Sequence, residues 1–177
     1  SMIALRITSI TVTLSDTRII EVDLPVGGIV LALNCDISLA VNDTVNLLID
    51  FDLSRGLEIE PDTAVSVDQI TGFTFNSNLF IRVMNTSMCG SISGRVESST
   101  GEPLKDVTVT VCMPGGIVEV CSSPTAVDGS FVILGVAEGV YDLKFNLNGY
   151  GETIVSNVSV QVGVETGGVN VELVPLP

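Results

Sequence analysis

Thr125-Ala126-Val127-Asp128-Gly129-Ser130-Phe131-Val132-Ile133 holds a turn and the strand that leaves it. Its Asp128-Gly129 step is a hairpin signal, because glycine takes a positive φ at no steric cost. Phe131 and Ile133 then stand two residues apart, on the side of a strand that faces a core. Upstream, Val107 to Met113 alternates and Pro114-Gly115-Gly116 turns it into Ile117 to Cys121. Downstream, Gly139-Val140-Tyr141 opens a strand to Leu147, Asn148-Gly149 turns again, and Thr153 to Val162 and Val169 to Val174 complete the set. With Ser91 to Val96 ahead of the turn at Ser99-Thr100-Gly101-Glu102-Pro103, this makes about seven strands, the complement of a small sandwich.

The first half is also strand-like but less regular. Ile3 to Leu14, Ile19 to Leu24, Ile29 to Leu33 and Val45 to Phe51 are apolar runs. After a loop around Gly56 and Pro61 come Ala64 to Val67, Gly72 to Phe75 and Leu79 to Val83. β-Branched residues in period-two runs between Gly, Asn, Asp and Pro predict strands, and no long segment carries helical spacing. The expected fold is all-β: two β-sandwich domains, 1–88 and 89–177, meeting near Met88 to Gly90 without a long polar linker. The first domain reads as incomplete, so that a strand from another molecule would complete it.

Composition excludes several functions. The 177 residues are 46% hydrophobic. No run reaches the ~18 uninterrupted apolar residues that a membrane helix needs. Net charge is −14, with 7 basic residues against 21 acidic ones, so nucleic acid and anionic membranes are repelled. There is no His. A Ser-His-Asp triad and a Cys-His dyad are therefore ruled out, and the chain is expected not to be an enzyme and to use no cofactor. Ser1-Met2 reads as a tag-cleavage scar and Val174-Pro175-Leu176-Pro177 as the start of a linker.

Asp50 and Asp52 are the sharpest pair of carboxylates. At i and i+2 on a strand they share one face, and with Asp36 or Asp43 from a nearby loop they could supply the oxygens of a calcium site. The competing reading is a solvated strand face behind Ile49, Phe51 and Leu53. The cysteines are Cys35, Cys89, Cys112 and Cys121, an even number at wide spacing that suits disulfides in an oxidising compartment. Cys112 and Cys121 flank the Pro114-Gly115-Gly116 turn and are the expected bridge, which leaves Cys35 with Cys89; the spacing leaves other pairings, and buried thiols, open. Asn42-Asp43-Thr44, Asn85-Thr86-Ser87 and Asn157-Val158-Ser159 fit the glycosylation pattern.

The segment from Gly90 to Leu173 resembles the carboxypeptidase regulatory-like domain family, a transthyretin-like β-sandwich. The residues that carry the likeness are Ser93-Gly94-Arg95-Val96, Thr100 to Val109 with its Gly101-Glu102-Pro103-Leu104 turn, Thr125 to Phe131, Gly135-Val136-Ala137-Glu138-Gly139-Val140-Tyr141-Asp142-Leu143, and Gly149-Tyr150. The resemblance implies a non-catalytic module of the kind appended to secreted enzymes, transporters and surface proteins. Related adhesin modules carry a Lys–Asn isopeptide bond from a first-strand Lys; Arg95 stands in that strand here, which argues against the bond. More weakly, Leu47 to Arg55 with Phe80-Ile81-Arg82-Val83 resembles the C-terminal part of an uncharacterised family of secreted and lipid-anchored prokaryotic proteins. That likeness implies location and architecture only.

The function expected is a secreted or cell-surface structural or adhesive module. A narrower version is a filament subunit joined to identical subunits by edge-strand donation, with Ile3 to Leu14 and Val169 to Val174 nearly free of the Lys and Pro that block edges. The alternative is a carbohydrate- or calcium-binding accessory module. A chain without Trp and with 2 Tyr offers few sugar platforms.

Overall fold

In the computed structural model, residues 2–34, 41–42, 44–51, 56–75 and 81–177 are described. The architecture is all-β. The chain divides into two compact units, Ser1–Thr44 with Leu48–Val83, and Val45–Leu47 with Met84–Pro177.

The N-terminal unit is made of two-stranded ribbons. β1 (Met2–Ile7) pairs with β4 (Ile29–Asn34), β2 (Thr11–Thr13) with β3 (Ile19–Glu21), and β6 (Leu57–Glu60) with β7 (Gly72–Phe75). β5 (Leu47–Phe51) pairs with β8 (Ile81–Asn85). Val22, Ile70 and Phe73 are its buried centre, with Val12, Ile20 and Leu57 packed around them. The expected strand at Ala64 to Val67 is instead a turn and a short 3-10 segment, Val67–Gln69. Side chains supply the partners a strand ladder would have given. Gln69 accepts from the Val65 amide at 2.9 Å, and the Arg18 guanidinium donates to the carbonyls of Val67 and Ile70 at 2.5 and 3.0 Å.

The C-terminal unit is a seven-stranded sandwich. β9 (Cys89–Ser98), β10 (Thr108–Cys112), β11 (Glu119–Pro124), β12 (Ser130–Ala137), β13 (Gly139–Asn146), β14 (Thr153–Val160) and β15 (Glu165–Leu173) form a four-stranded sheet, β11-β10-β13-β14, and a three-stranded sheet, β12-β9-β15. Between them Ile92, Val96, Val107, Val109, Val111, Leu143, Phe145 and Leu173 are fully buried. Burial of one such side chain contributes about 1.5–3 kcal/mol. Phe131 meets Phe145 edge-on, ring centroids 5.8 Å apart.

The Asp128-Gly129 turn forms as read. Asp128 accepts from the Ser130 amide at 3.1 Å, and Gly129 has φ +78. A second reason for glycine lies outside the turn: a Cβ on Gly129 would sit 2.4 Å from the Val96 carbonyl oxygen. Thr125 is buried, and its hydroxyl donates to the Leu104 carbonyl at 2.6 Å while accepting from the Val107 amide at 2.9 Å. That pins the Gly101-Glu102-Pro103-Leu104 turn to the next strand. Gly94 lies where β15 runs parallel to β9 and shifts register between Thr166 and Val169. A Cβ there would stand 1.9 Å from the Val169 carbonyl oxygen.

The cysteine pairing is corrected by this unit. β11 begins at Glu119, later than Ile117, and a register shift pairs Cys112 with Glu119 but Val111 with Cys121. Val120 is the extra residue. Cross-strand partners share a face, so Cys121 points with Val111 into the core while Cys112 points to the opposite face beside Asp142. The Cys112–Cys121 disulfide is not formed; both are buried thiols, as is Cys89. Cys35, the expected partner of Cys89, lies outside the described residues.

Three outcomes follow. Gly94→Ala should lower the unfolding free energy by about 2–3 kcal/mol in urea titration, because backbone must move to admit the methyl group. Gly151→Ala, whose nearest neighbour would be 3.7 Å away, should be close to neutral. Iodoacetamide mass mapping should label Cys112 and Cys121 only after unfolding; a Cys112–Cys121 cross-linked peptide from unreduced protein would contradict the assignment.

Candidate functional site

Asp142 is the most elaborated polar position in the C-terminal domain. It sits in the middle of β13, opposite Cys112 of β10, and is 8% exposed. Its Oδ2 accepts from the Gly115 amide at 2.9 Å and its Oδ1 from the Asn157 amide at 3.2 Å. Those bonds hold its carboxyl below the ordinary value of 3.8: the Gly115 amide contributes most, then the Asn157 amide, then the Ser156 side chain, against an opposing contribution from burial. One carboxylate thus fastens two irregular pieces of chain, the Pro114-Gly115-Gly116 turn and the left-handed Asn157 in β14, φ +63. The sequence reading gave Asp142 no role. The available signal was a lone acid within the apolar run Gly139 to Leu147.

Other acids are engaged in the same way. Asp16 accepts from the Arg18 guanidinium Nε at 2.7 Å, which lowers its pKa. Asp128 is lowered chiefly by the Ser130 hydroxyl, which donates to it at 2.6 Å. Glu165 accepts from the Ser93 hydroxyl. Tyr141 donates to the Ala137 carbonyl at 3.1 Å, and burial, then the nearby Cys121 and Cys89, push its hydroxyl upward.

For the calcium candidate, the structure brings Asp50 of β5 to Arg82 of β8, Oδ2 to Nη2 at 2.5 Å and to Nε at 3.1 Å. The two halves of the weaker N-terminal resemblance therefore meet in one ion pair. Asp52, Asp36 and Asp43 lie outside the described residues, so the rest of that oxygen set does too. Among the described residues, no group of three or more His, Cys, Asp or Glu is arranged to hold a metal ion. Asn85 of the second glycosylation triplet is occupied, accepting from the Ser87 amide at 3.0 Å.

In the N-terminal unit a cleft of about 590 Å³ is lined by Arg6, Glu21, Asp23 and the Gly27-Gly28 turn. In the C-terminal domain a groove of about 480 Å³ runs along β9 and β15, lined by Arg95, Glu97, Asn170 and Glu172. Arg95 and Glu97 are bonded to each other there at 2.9 Å.

Residues 91–174 match the family model of the carboxypeptidase regulatory-like domain, and that segment is a domain of this family. No curated protein matches the chain closely. Among solved structures, the chain is similar to a candidate carbohydrate-binding protein from Bacteroides uniformis at 17% identity, over 49% of this chain and 41% of that one, TM-score 0.40. It is similar to the minor pilin of Streptococcus agalactiae at 18% identity, over 58% and 56%, TM-score 0.40. A type II cohesin–X-dockerin complex from Acetivibrio cellulolyticus matches at 26% identity, over 48% and 56%, TM-score 0.35. The chain spans between 41% and 56% of the length of those structures. Among the described residues, no helix is long and apolar enough to cross a membrane.

A group whose folded pKa is depressed contributes stability above its unfolded pKa, and loses it as pH falls through the folded value. Asp142 should therefore support the fold at neutral pH and cease to do so as pH drops below 3.8. In urea titrations between pH about 4 and about 2, the wild type should lose stability more steeply than Asp142→Asn. Equal slopes would remove Asp142 from this role.

Proposed function

We propose that the protein is a non-catalytic structural module of a secreted or cell-surface protein, with its C-terminal domain acting as a self-contained spacer or presenting unit. The observation that carries this reading is where the acidic side chains are spent. Asp142 is bonded to the Gly115 and Asn157 amides, Asp128 to Ser130, Asp50 to Arg82 and Glu165 to Ser93. Carboxylates used this way fix turns and strand ends, and each would have to leave its partner to exchange a proton with a substrate. The family assignment of residues 91–174 supports the same reading.

The filament version needs a strand to give away. Of Val169 to Val174, a donor candidate on sequence grounds, the residues up to Leu173 belong to β15 and are paired with β9 of their own domain.

A second reading, carbohydrate or calcium binding, is favoured by the polar groove along β9 and β15. A glycan array and calorimetry with calcium chloride separate the two. The structural reading expects a blank array and no calcium heat. A dissociation constant below about 0.1 mM for either ligand, abolished by Asn170→Ala with Glu172→Ala, would replace it with the binding one.

A further inference from the structure

An asparagine followed by glycine can react with its own backbone. The glycine nitrogen attacks the asparagine side-chain carbonyl, and glycine carries no side chain to obstruct the approach. Asn148-Gly149 is such a pair, and every other asparagine of the chain precedes a residue with a side chain. The pair sits in the connection between β13 and β14, in a turn where the Tyr150 amide donates to the Leu147 carbonyl at 3.0 Å and Gly149 has φ +84. Both residues are exposed. A Cβ on Gly149 would meet nothing within 4 Å, so that side of the turn is open. Among the described residues, the Asn148 side chain and the Gly149 N–H have no hydrogen-bond partner. Nothing there holds the two reacting groups apart.

Asp128-Gly129, the chain's one Asp-Gly step, has the same chemistry in principle, and there the fold blocks it. The Gly129 amide donates to the Ala126 carbonyl at 2.9 Å, and the Asp128 carboxylate accepts from both the hydroxyl and the amide of Ser130. The Asn148 turn also holds down the chain that follows β15. The Gly149 carbonyl accepts from the Leu176 amide at 2.8 Å, and the Gly151 amide donates to the Val174 carbonyl at 2.9 Å. Between those bonds Tyr150 pairs with Pro175 in an antiparallel bridge.

We propose that Asn148 is a deamidation site whose conversion releases the Val174–Leu176 segment from the domain. The Gly149 nitrogen bonds to the Asn148 Cγ, the Cγ–Nδ2 bond breaks, and the nitrogen's proton leaves with the side-chain amine as ammonia. The product is a succinimide, which water opens at either of its two carbonyls. Opening at the main-chain carbonyl leaves isoaspartate, in which the chain runs through Cβ and Cγ and is one backbone atom longer. A four-residue turn closed by one hydrogen bond does not keep its shape with an extra atom. The Gly149 carbonyl then moves off the Leu176 amide, and the bridge between Tyr150 and Pro175 opens. The inference is independent of the function proposed above.

The test incubates the full chain at neutral pH, folded and in denaturing urea, and follows it by peptide mass mapping. Folded protein should gain the mass of an amide-to-acid change at Asn148, at a rate within about tenfold of the unfolded chain, because the fold leaves the attacking geometry open. A slower folded rate overturns the site. Asn148→Ser should abolish the gain; a gain that persists in this variant overturns the assignment. Asp128, read by electron-transfer fragmentation, should form isoaspartate only in urea. Its formation in folded protein would overturn the claim that these hydrogen bonds decide which step reacts. In the converted wild-type fraction, isolated by anion exchange, hydrogen exchange at the Gly151 and Leu176 amides should rise at least about tenfold over fresh protein. Unchanged exchange overturns the release. Asn148→Asp adds the charge without the extra backbone atom and should keep both amides as slow as in fresh protein. Equal loosening in that variant overturns the backbone account.

Discussion

The parallel contact between β9 and β15 is the constraint on which the C-terminal domain depends. β9 is the middle strand of the three-stranded sheet, held antiparallel by β12 and parallel by β15. The register shift of β15 drives the Val169 carbonyl against Gly94, so the sheet closes only if position 94 has no side chain. With β9 fixed, Ile92 and Val96 enter the core and meet the valines of β10 from the other sheet. The Asp128-Gly129 turn then lodges against Val96 from the remaining side.

Much of this was readable in advance, for local reasons. An Asp-Gly step, alternating valines and a Gly-x-Pro-Leu turn each specify a conformation within a few residues, and the structure has strands and turns at those places. The errors came from single-residue offsets. Had Val120 taken a regular place in the ladder opposite Val111, Cys121 would have stood opposite Thr110 and on the same face as Cys112. One added residue inverted that parity, and nothing local in Glu119-Val120-Cys121 announces it. Asp142 was missed for a related reason: its partners, the Gly115 and Asn157 amides, are 27 and 15 residues distant. Ala64 to Val67 failed because Arg18, remote in sequence, captures the carbonyls of the neighbouring turn.

The thiols alter what the cysteines say about surroundings. An even number of cysteines argued for an oxidising compartment, but Cys112 and Cys121 lie on opposite sides of one sheet and serve as small buried apolar residues. The two units also reach stability differently. The C-terminal domain has a continuous core between two sheets, whereas paired ribbons such as β2–β3 bury little by themselves and, among the described residues, pack on the side chains around Phe73.

The parallel arrangement of β9 and β15 has a mechanical corollary. Because the two strands run the same way, the chain enters the domain at Cys89 and leaves it beyond Leu173 at opposite ends of the sheet, about 30 Å apart for strands of this length. Tension applied through the flanking polypeptide pulls β9 and β15 lengthwise past each other. The hydrogen bonds between them are then loaded together in shear, and cannot be peeled open one at a time.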